Sequence, residues 1–164
     1  MSIRLKLLPA VLLGALAFSS LWVAPASAKY EDQVTYQRGK SKSVRRNSIS
    51  IYANSGGSIG LFVLRAAKLR NSRTLVKFSG RCDSACTLFL GLPPRQMCIS
   101  KGAVFRFHAP MHKSPRAASY AKKYMMRKYP GWVRSYIGAN RGLTNRLITM
   151  DYKYARRFIR TCVA

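Results

Sequence analysis

Acidic residues are nearly absent from this chain. Only Glu31, Asp32, Asp83 and Asp151 stand against thirty lysines and arginines in 164 residues, a formal net charge of +26. That excludes a charge-balanced surface and predicts salt-dependent attraction to polyanions such as nucleic acid, anionic lipid or acidic glycans. The basic residues are spread along the whole chain, so a generally cationic surface with no single polyanion partner is the plainer reading. A second long apolar run is lacking too, which predicts a soluble body beyond the first 28 residues. Internal repeats and low-complexity tracts are missing, which excludes a solenoid or a repeat array. Gly39-Lys40-Ser41 looks like the end of a phosphate-binding loop, but the earlier glycine that such a loop requires is Val34 here, and the match is discarded.

What is present begins with a leader, "MSIRLKLLPAVLLGALAFSSLWVAPASA". Arg4 and Lys6 form a positive start, residues 7–23 are mostly apolar, and Ala26-Ser27-Ala28 is a small-x-small cleavage signal. The pattern predicts a secretory signal peptide, residues 1–28, cut after Ala28. The rival is a retained membrane anchor, but Pro9, Ser19 and Ser20 interrupt an apolar run already short for a span of about 20 residues. Arg4 and Lys6 are the leader's only charges, so its removal turns +26 into +24. Residues 29–46 predict a basic flexible arm with a short strand at 34–36. Residues 47–164 are long enough for one folded domain with a real core.

All four cysteines, Cys82, Cys86, Cys98 and Cys162, follow the leader. An even number behind a secretory signal predicts two disulfides in an oxidising compartment, periplasmic or extracellular, with three pairings open. A zinc site is the alternative, although these spacings lack the close ligand pairs of a zinc ribbon. No other metal and no cofactor is expected.

Residues 48–53 alternate polar and apolar as a strand does, Asn54 to Gly57 form a turn, and Ile59, Phe62, Val63, Ala66, Ala67 and Leu69 recur at helical spacing. The order repeats at once. "RTLVKFSG" predicts a strand through Phe78, Arg81 to Asp83 a turn, and residues 84–90 the start of a helix that "LPPRQ" breaks. "MCIS" and "AVFRFHAP" predict two short strands, and residues 117–128, 132–139, 144–149 and 152–161 predict helices. Strands alternating with helices predict an α/β fold with a small parallel sheet flanked by helices and a helical C-terminal part.

In such a fold, ligands gather at the carboxyl ends of the strands. Gly56-Gly57, Ser84 and His108 each follow a predicted strand. Ser84 at a strand-to-helix turn supplies a hydroxyl, and His108 an imidazole to take its proton. The N–H groups of Gly57 and Ala85 can bind an oxyanion. Taken singly, each has a plainer role: Ser84 as a helix cap, His108 as a core histidine, and the glycines as a turn. His112 reads as a surface residue, because Pro110 prevents it from sharing a helix face with His108. Tyr124, Met125, Met126, Tyr129 and Trp132 read as core packing.

Taken in order, "NSGG" at 54–57, "GRCDS" at 80–84 and "HAP" at 108–110 resemble the proteolytic subunit of the Clp protease (ClpP) and the wider ClpP/crotonase superfamily. Members carry a strand ending in Asn-Ser-Pro-Gly-Gly, a Gly-x-x-x-Ser nucleophile turn and a strand ending in His-Gln-Pro. The resemblance covers residues 48–110 well. With the leader, "CDSAC" at 82–86 and "FHAP" at 107–110, the chain more narrowly resembles the periplasmic ClpP-like proteins of proteobacteria. The resemblance implies a ClpP-like fold, Ser84 as nucleophile, His108 as general base, Gly57 and Ala85 as oxyanion donors, peptide or protein substrates, and self-association. The family's third residue is an acid well after the histidine. Asp151 is the one acid in that position, and it also stands where an aspartate caps a helix; both readings stay open. The chain departs from the family at the proline of the glycine turn, which is absent, and in its short basic N-terminal part. An ATPase chaperone partner is not expected outside the cytoplasm. Placed on this frame, the cysteines predict Cys86–Cys98 and Cys82–Cys162 bridges.

The function that follows is a secreted or periplasmic serine hydrolase, most naturally a peptidase. The first alternative is a non-catalytic ClpP-like module whose basic surface binds anionic envelope components or other proteins. The second is a small cationic protein that binds nucleic acid or lipid, favoured by the basic and aromatic stretch "YAKKYMMRKYPGWVRSY".

Overall fold

A computed structural model describes residues 34–36 and 47–163; the predicted leader and the rest of the basic arm lie outside the described residues. The elements run β1 (Val34–Tyr36), β2 (Ser48–Asn54), α1 (Ile59–Asn71), β3 (Leu75–Asp83), a 3-10 helix (Ser84–Gly91) and a 3-10 turn (Pro94–Gln96). They continue with β4 (Met97–Ile99), β5 (Val104–Phe107), α2 (Pro115–Lys128), α3 (Gly131–Ala139), β6 (Ile148–Asp151) and α4 (Tyr152–Ala155). The fold is α/β, a small and mostly parallel sheet flanked by helices. Strand order is β1-β2-β3-β5-β6, with β4 also paired to β3. The β2, β3, β4 and β5 pairings are parallel, and the antiparallel pairings are at the two edges, β1 on β2 and β6 on β5.

β3 is the organising strand, and one of its edges is shared. Its first half pairs with β4, Val76 opposite Met97, and its last residues pair with β5, Asp83 opposite Arg106. β3 runs five residues beyond Phe78, where the sequence predicts a turn at 81–83. The extension is possible because β5 pairs with those residues, and because Gly80 passes so close to the Tyr52 carbonyl of β2 that no side chain fits there. Local sequence reports neither partner.

The buried side chains form one core cluster. In it, Phe62 of α1 meets Phe89 of the 3-10 helix, ring centroids 5.3 Å apart. Tyr129 closing α2 meets Phe107 edge-on at 5.7 Å. Phe78 and Phe105 pack edge-to-face on neighbouring strands. Each such side chain contributes roughly 1.5–3 kcal/mol by burial. Of the residues expected to pack, Met125 and Tyr129 are fully buried, and Met126 and Trp132 lie partly buried against the core.

Residues 144–149 do not form the predicted helix. Ile148 and Met150 point inward while Thr149 and Asp151 point out, which is a strand's alternation, and β6 completes the sheet on β5. The last predicted helix is shorter than expected. α4 ends at Ala155, and the chain after it runs back beside β4, with Ile99 and Cys162 hydrogen-bonded through their backbones.

All four cysteines are in disulfides, but the pairing differs from the expected one. Cys82 bonds Cys86, and Cys98 bonds Cys162. The correction has a physical reason. Cys98 sits in β4, and it is the C-terminal tail that lies along β4, so Cys162 reaches it. Cys82 is the next-to-last residue of β3 and Cys86 lies in the first turn of the next helix, so those two face each other across the strand-to-helix turn. The Cys98–Cys162 bridge closes 64 residues and contributes about 4 kcal/mol through the unfolded chain, against about 2 kcal/mol for the short loop. Two disulfides fit an oxidising compartment. No helix among the described residues is long and apolar enough to cross a membrane.

Candidate active site

The carboxyl ends of β2, β3 and β5 lie side by side, because Asn54 is in register with Cys82 and Cys82 with Phe105. Each strand delivers one predicted residue to that edge. β2 leads into Gly56-Gly57, β3 into Ser84, and β5 into His108. An open cleft of about 510 Å³ is lined by Gly57, Ser84 and His108 together with Ile59, Pro110, Met111, His112, Ala121 and Met125.

Ser84 is the first residue of the 3-10 helix, with φ +52°, the left-handed region that residues with a Cβ seldom occupy. Ser84 is held there half-buried at a sharp strand-to-helix turn, on the wall of the cleft. Several contacts maintain the turn. Thr87 Oγ1 donates to the Ser84 carbonyl at 2.5 Å, and the buried Tyr129 hydroxyl lies 2.6 Å from Thr87 Oγ1. Burial pushes the Tyr129 pKa upward, which keeps that hydroxyl protonated in the core. Gly56 packs against the turn from the other side. A Cβ there would fall 2.7 Å from Ser84 Cβ and 2.9 Å from the Ala85 nitrogen, and its φ of +86° suits glycine. The Gly56 N–H donates to Asn54 Oδ1 at 2.9 Å.

Asp83 occupies the N-cap position of the 3-10 helix, where an aspartate ordinarily turns back to accept the first free N–H groups. It makes no such bond. Its carboxylate is drawn the other way, bidentate to Arg106 at 2.8 and 2.5 Å, with Arg81 at 3.2 Å. The pair raises the Arg106 pKa, chiefly through the hydrogen bond to Asp83. So the acid next to the serine does not compete for the N–H of Ala85. The Ala85 nitrogen packs close to Gly56, 2.9 Å from where a Cβ on that glycine would stand.

His108 Nδ1 lies 2.7 Å from the Ala109 carbonyl oxygen. A carbonyl only accepts, so Nδ1 carries the proton and Nε2 keeps its lone pair, the tautomer required of a general base. His112 has the opposite arrangement. Its Nδ1 accepts from the Ser114 N–H at 3.0 Å, so its Nε2 carries the proton. The expectation that His112 is exposed agrees with the structure, yet it also lines the cleft.

Asp151 is not brought to this group. It pairs with Val104, at the far end of β5 from His108, roughly 13 Å along the strand. Its Oδ1 accepts the Tyr154 N–H at 2.8 Å, so of its two readings the helix cap is the contact that forms. Sequence reasoning missed Ala121 and Met125 as walls of the cleft. They come from α2, which packs across the site from a distant part of the chain, and only their helical spacing of four hinted at a shared face.

No family model and no curated protein matches the chain. Solved structures do match its fold. One, a peptidase from Plasmodium falciparum, aligns with a TM-score of 0.50 and 13% identity over 73% of this chain and 78% of its own. Another, described as an enzyme, aligns with a TM-score of 0.52 and 13% identity over 74% of this chain and 81% of its own. At that identity the likeness establishes the α/β fold alone.

Proposed function

We propose that this chain is a serine hydrolase of ClpP/crotonase-like type, acting on peptide or protein substrates after export to the periplasm or beyond. The observation that carries the reading is Ser84, held at φ +52° on the wall of the cleft that His108 also lines. The two disulfides support the compartment, and the likeness in fold to a peptidase supports the reaction class. The leader 1–28 would direct export, with cleavage near Ala28.

In this mechanism Ser84 Oγ attacks the scissile carbonyl carbon while His108 Nε2 takes the hydroxyl proton. The carbonyl π electrons move to oxygen, and the N–H groups of Gly57 and Ala85 hold the oxyanion. Collapse breaks the bond to the leaving amine or alcohol, which takes the proton back from His108. Water, deprotonated by His108, then releases the acyl group and restores Ser84. The Ala109 carbonyl does one part of what an acid does in a triad, fixing the imidazole tautomer, so the site works as a Ser–His dyad without Asp151.

The test is turnover of an activated ester by the purified protein, Ser84→Ala and His108→Ala. Removing either group of a catalytic pair costs on the order of 10³-fold or more in kcat. Equal turnover by all three proteins would refute the assignment.

A second reading rests on charge. Asp83 and Asp151 are the acids of the described residues 47–163, and Asp83 is committed to Arg106 and Arg81. Little offsets the positive surface, so binding to anionic envelope components or other polyanions accompanies or replaces catalysis. Binding to anionic vesicles that is indifferent to salt would exclude it.

A further inference from the structure

We propose that the Cys82–Cys86 disulfide is a positioning element of the active site, so that the hydrolytic reaction belongs to the oxidised protein. The inference rests on Ser84 being the nucleophile and adds the condition under which it is competent. The bridge closes the ring Cys82-Asp83-Ser84-Ala85-Cys86, with Ser84 at its centre and the Ala85 amide beside it. One anchor lies at the end of β3 and the other in the first turn of the 3-10 helix, and both cysteines are fully buried.

The ring opposes a specific tendency. The left-handed conformation that Ser84 adopts is populated roughly 5- to 30-fold less than the right-handed one by a residue with a Cβ. A capping bond from the residue before a helix commonly secures such a turn, but the Asp83 carboxylate is engaged with Arg106 and Arg81 instead. Gly56 restrains the turn by close packing and Thr87 by its bond to the Ser84 carbonyl. The covalent link across the turn supplies the remaining restraint. The other disulfide makes no such contribution. It ties the C-terminal tail to β4, and neither Cys98 nor Cys162 lines the cleft.

Reduction proceeds by thiol–disulfide exchange. A dithiol thiolate attacks one sulfur, a mixed disulfide forms, and the second thiol of the reductant resolves it. Two electrons pass to the protein, leaving Cys82 and Cys86 as thiols and the reductant as its disulfide. The opened turn lets Ser84 relax toward the right-handed region, which carries Oγ away from His108 and the Ala85 N–H away from the cleft. The chain is then inert where thiols are kept reduced and gains activity on reaching an oxidising compartment.

The experiment compares ester turnover by the full protein, C82A/C86A and C98A/C162A. C82A/C86A should lose about 5- to 30-fold in kcat with KM within twofold, whereas C98A/C162A should keep kcat while melting at lower temperature. A kcat for folded C82A/C86A within twofold of the unaltered protein overturns the proposal. Should C82A/C86A fail to fold, stepwise phosphine reduction of the unaltered protein, with alkylation and peptide mapping, gives the open fraction of each bridge. Activity must then fall with the Cys82–Cys86 fraction, and activity that survives its opening also overturns the proposal. Failure of the serine assignment itself is separable, because Ser84→Ala would then turn over ester as fast as the unaltered protein with both bridges intact.

Discussion

Gly56→Ala perturbs the site without replacing a reacting group. The new Cβ would meet the Asp83 carbonyl oxygen at 2.6 Å, Ser84 Cβ at 2.7 Å and the Ala85 nitrogen at 2.9 Å. Two of these are backbone atoms, and none is the end of a flexible side chain, so the turn itself must move. Overpacking of this kind costs about 1–3 kcal/mol. The φ of +86° adds about 1–2 kcal/mol for any residue with a Cβ. Together they come to about 2–5 kcal/mol, a large share of the 5–15 kcal/mol that typically holds a domain together. At roughly 3 °C per kcal/mol, the melting temperature should fall by about 6–15 °C. If the Ser84 turn yields instead, part of the cost appears as lost ester turnover. The assay is thermal unfolding and ester hydrolysis side by side. Gly138→Ala serves as the control, because Gly138 is an exposed helix position with open space around it, where alanine should stabilise by about 0.5–1 kcal/mol. A Gly56→Ala protein unchanged in both melting and turnover would refute the packing on which the site is built.

Arg106→Met should destabilise by about 1–3 kcal/mol, since it leaves the buried Asp83 carboxylate with only the half-exposed Arg81. It should also slow ester turnover, because a released Asp83 can turn back onto the N–H groups that the oxyanion needs, and denaturant melts with kinetics check both. Asp151→Ala should cost about 1 kcal/mol as a lost cap and leave kcat within twofold; a fall of a thousandfold or more would return it to the catalytic group. The Tyr129 pKa is raised in the fold, so the native state keeps a proton that the unfolded chain loses near pH 10. Its contribution is therefore whole below about pH 10 and declines as pH rises further. Tyr129→Phe should flatten that alkaline decline in a pH series of melting temperatures, while removing the Thr87 contact at neutral pH.

Much of the site was legible because its signals are local. A glycine pair, a serine and a histidine each follow a strand that alternation or β-branched composition announces, and parallel strands in register set their ends on one edge. What was not legible depends on partners distant in the chain. Residues 144–149 read as helical in isolation, yet pairing with β5 draws 148–151 into a strand. The disulfide pairing turned on which segment runs beside β4, and nothing in the spacing of Cys98 and Cys162 reports that the tail returns there. The direction of Asp83 followed from Arg106 standing in register across the strand pair, a relation invisible without the register. Asp151 reads in the sequence more readily as a cap than as a triad acid, and its pairing with Val104 sets it at the far end of β5 from His108.

The most direct test of the central claim is to treat the purified protein with a fluorophosphonate probe and map the adduct by peptide mass spectrometry. The account predicts a single adduct on Ser84, abolished by Ser84→Ala and strongly slowed by His108→Ala. An unlabelled protein, or an adduct on another residue that persists in Ser84→Ala, would contradict it.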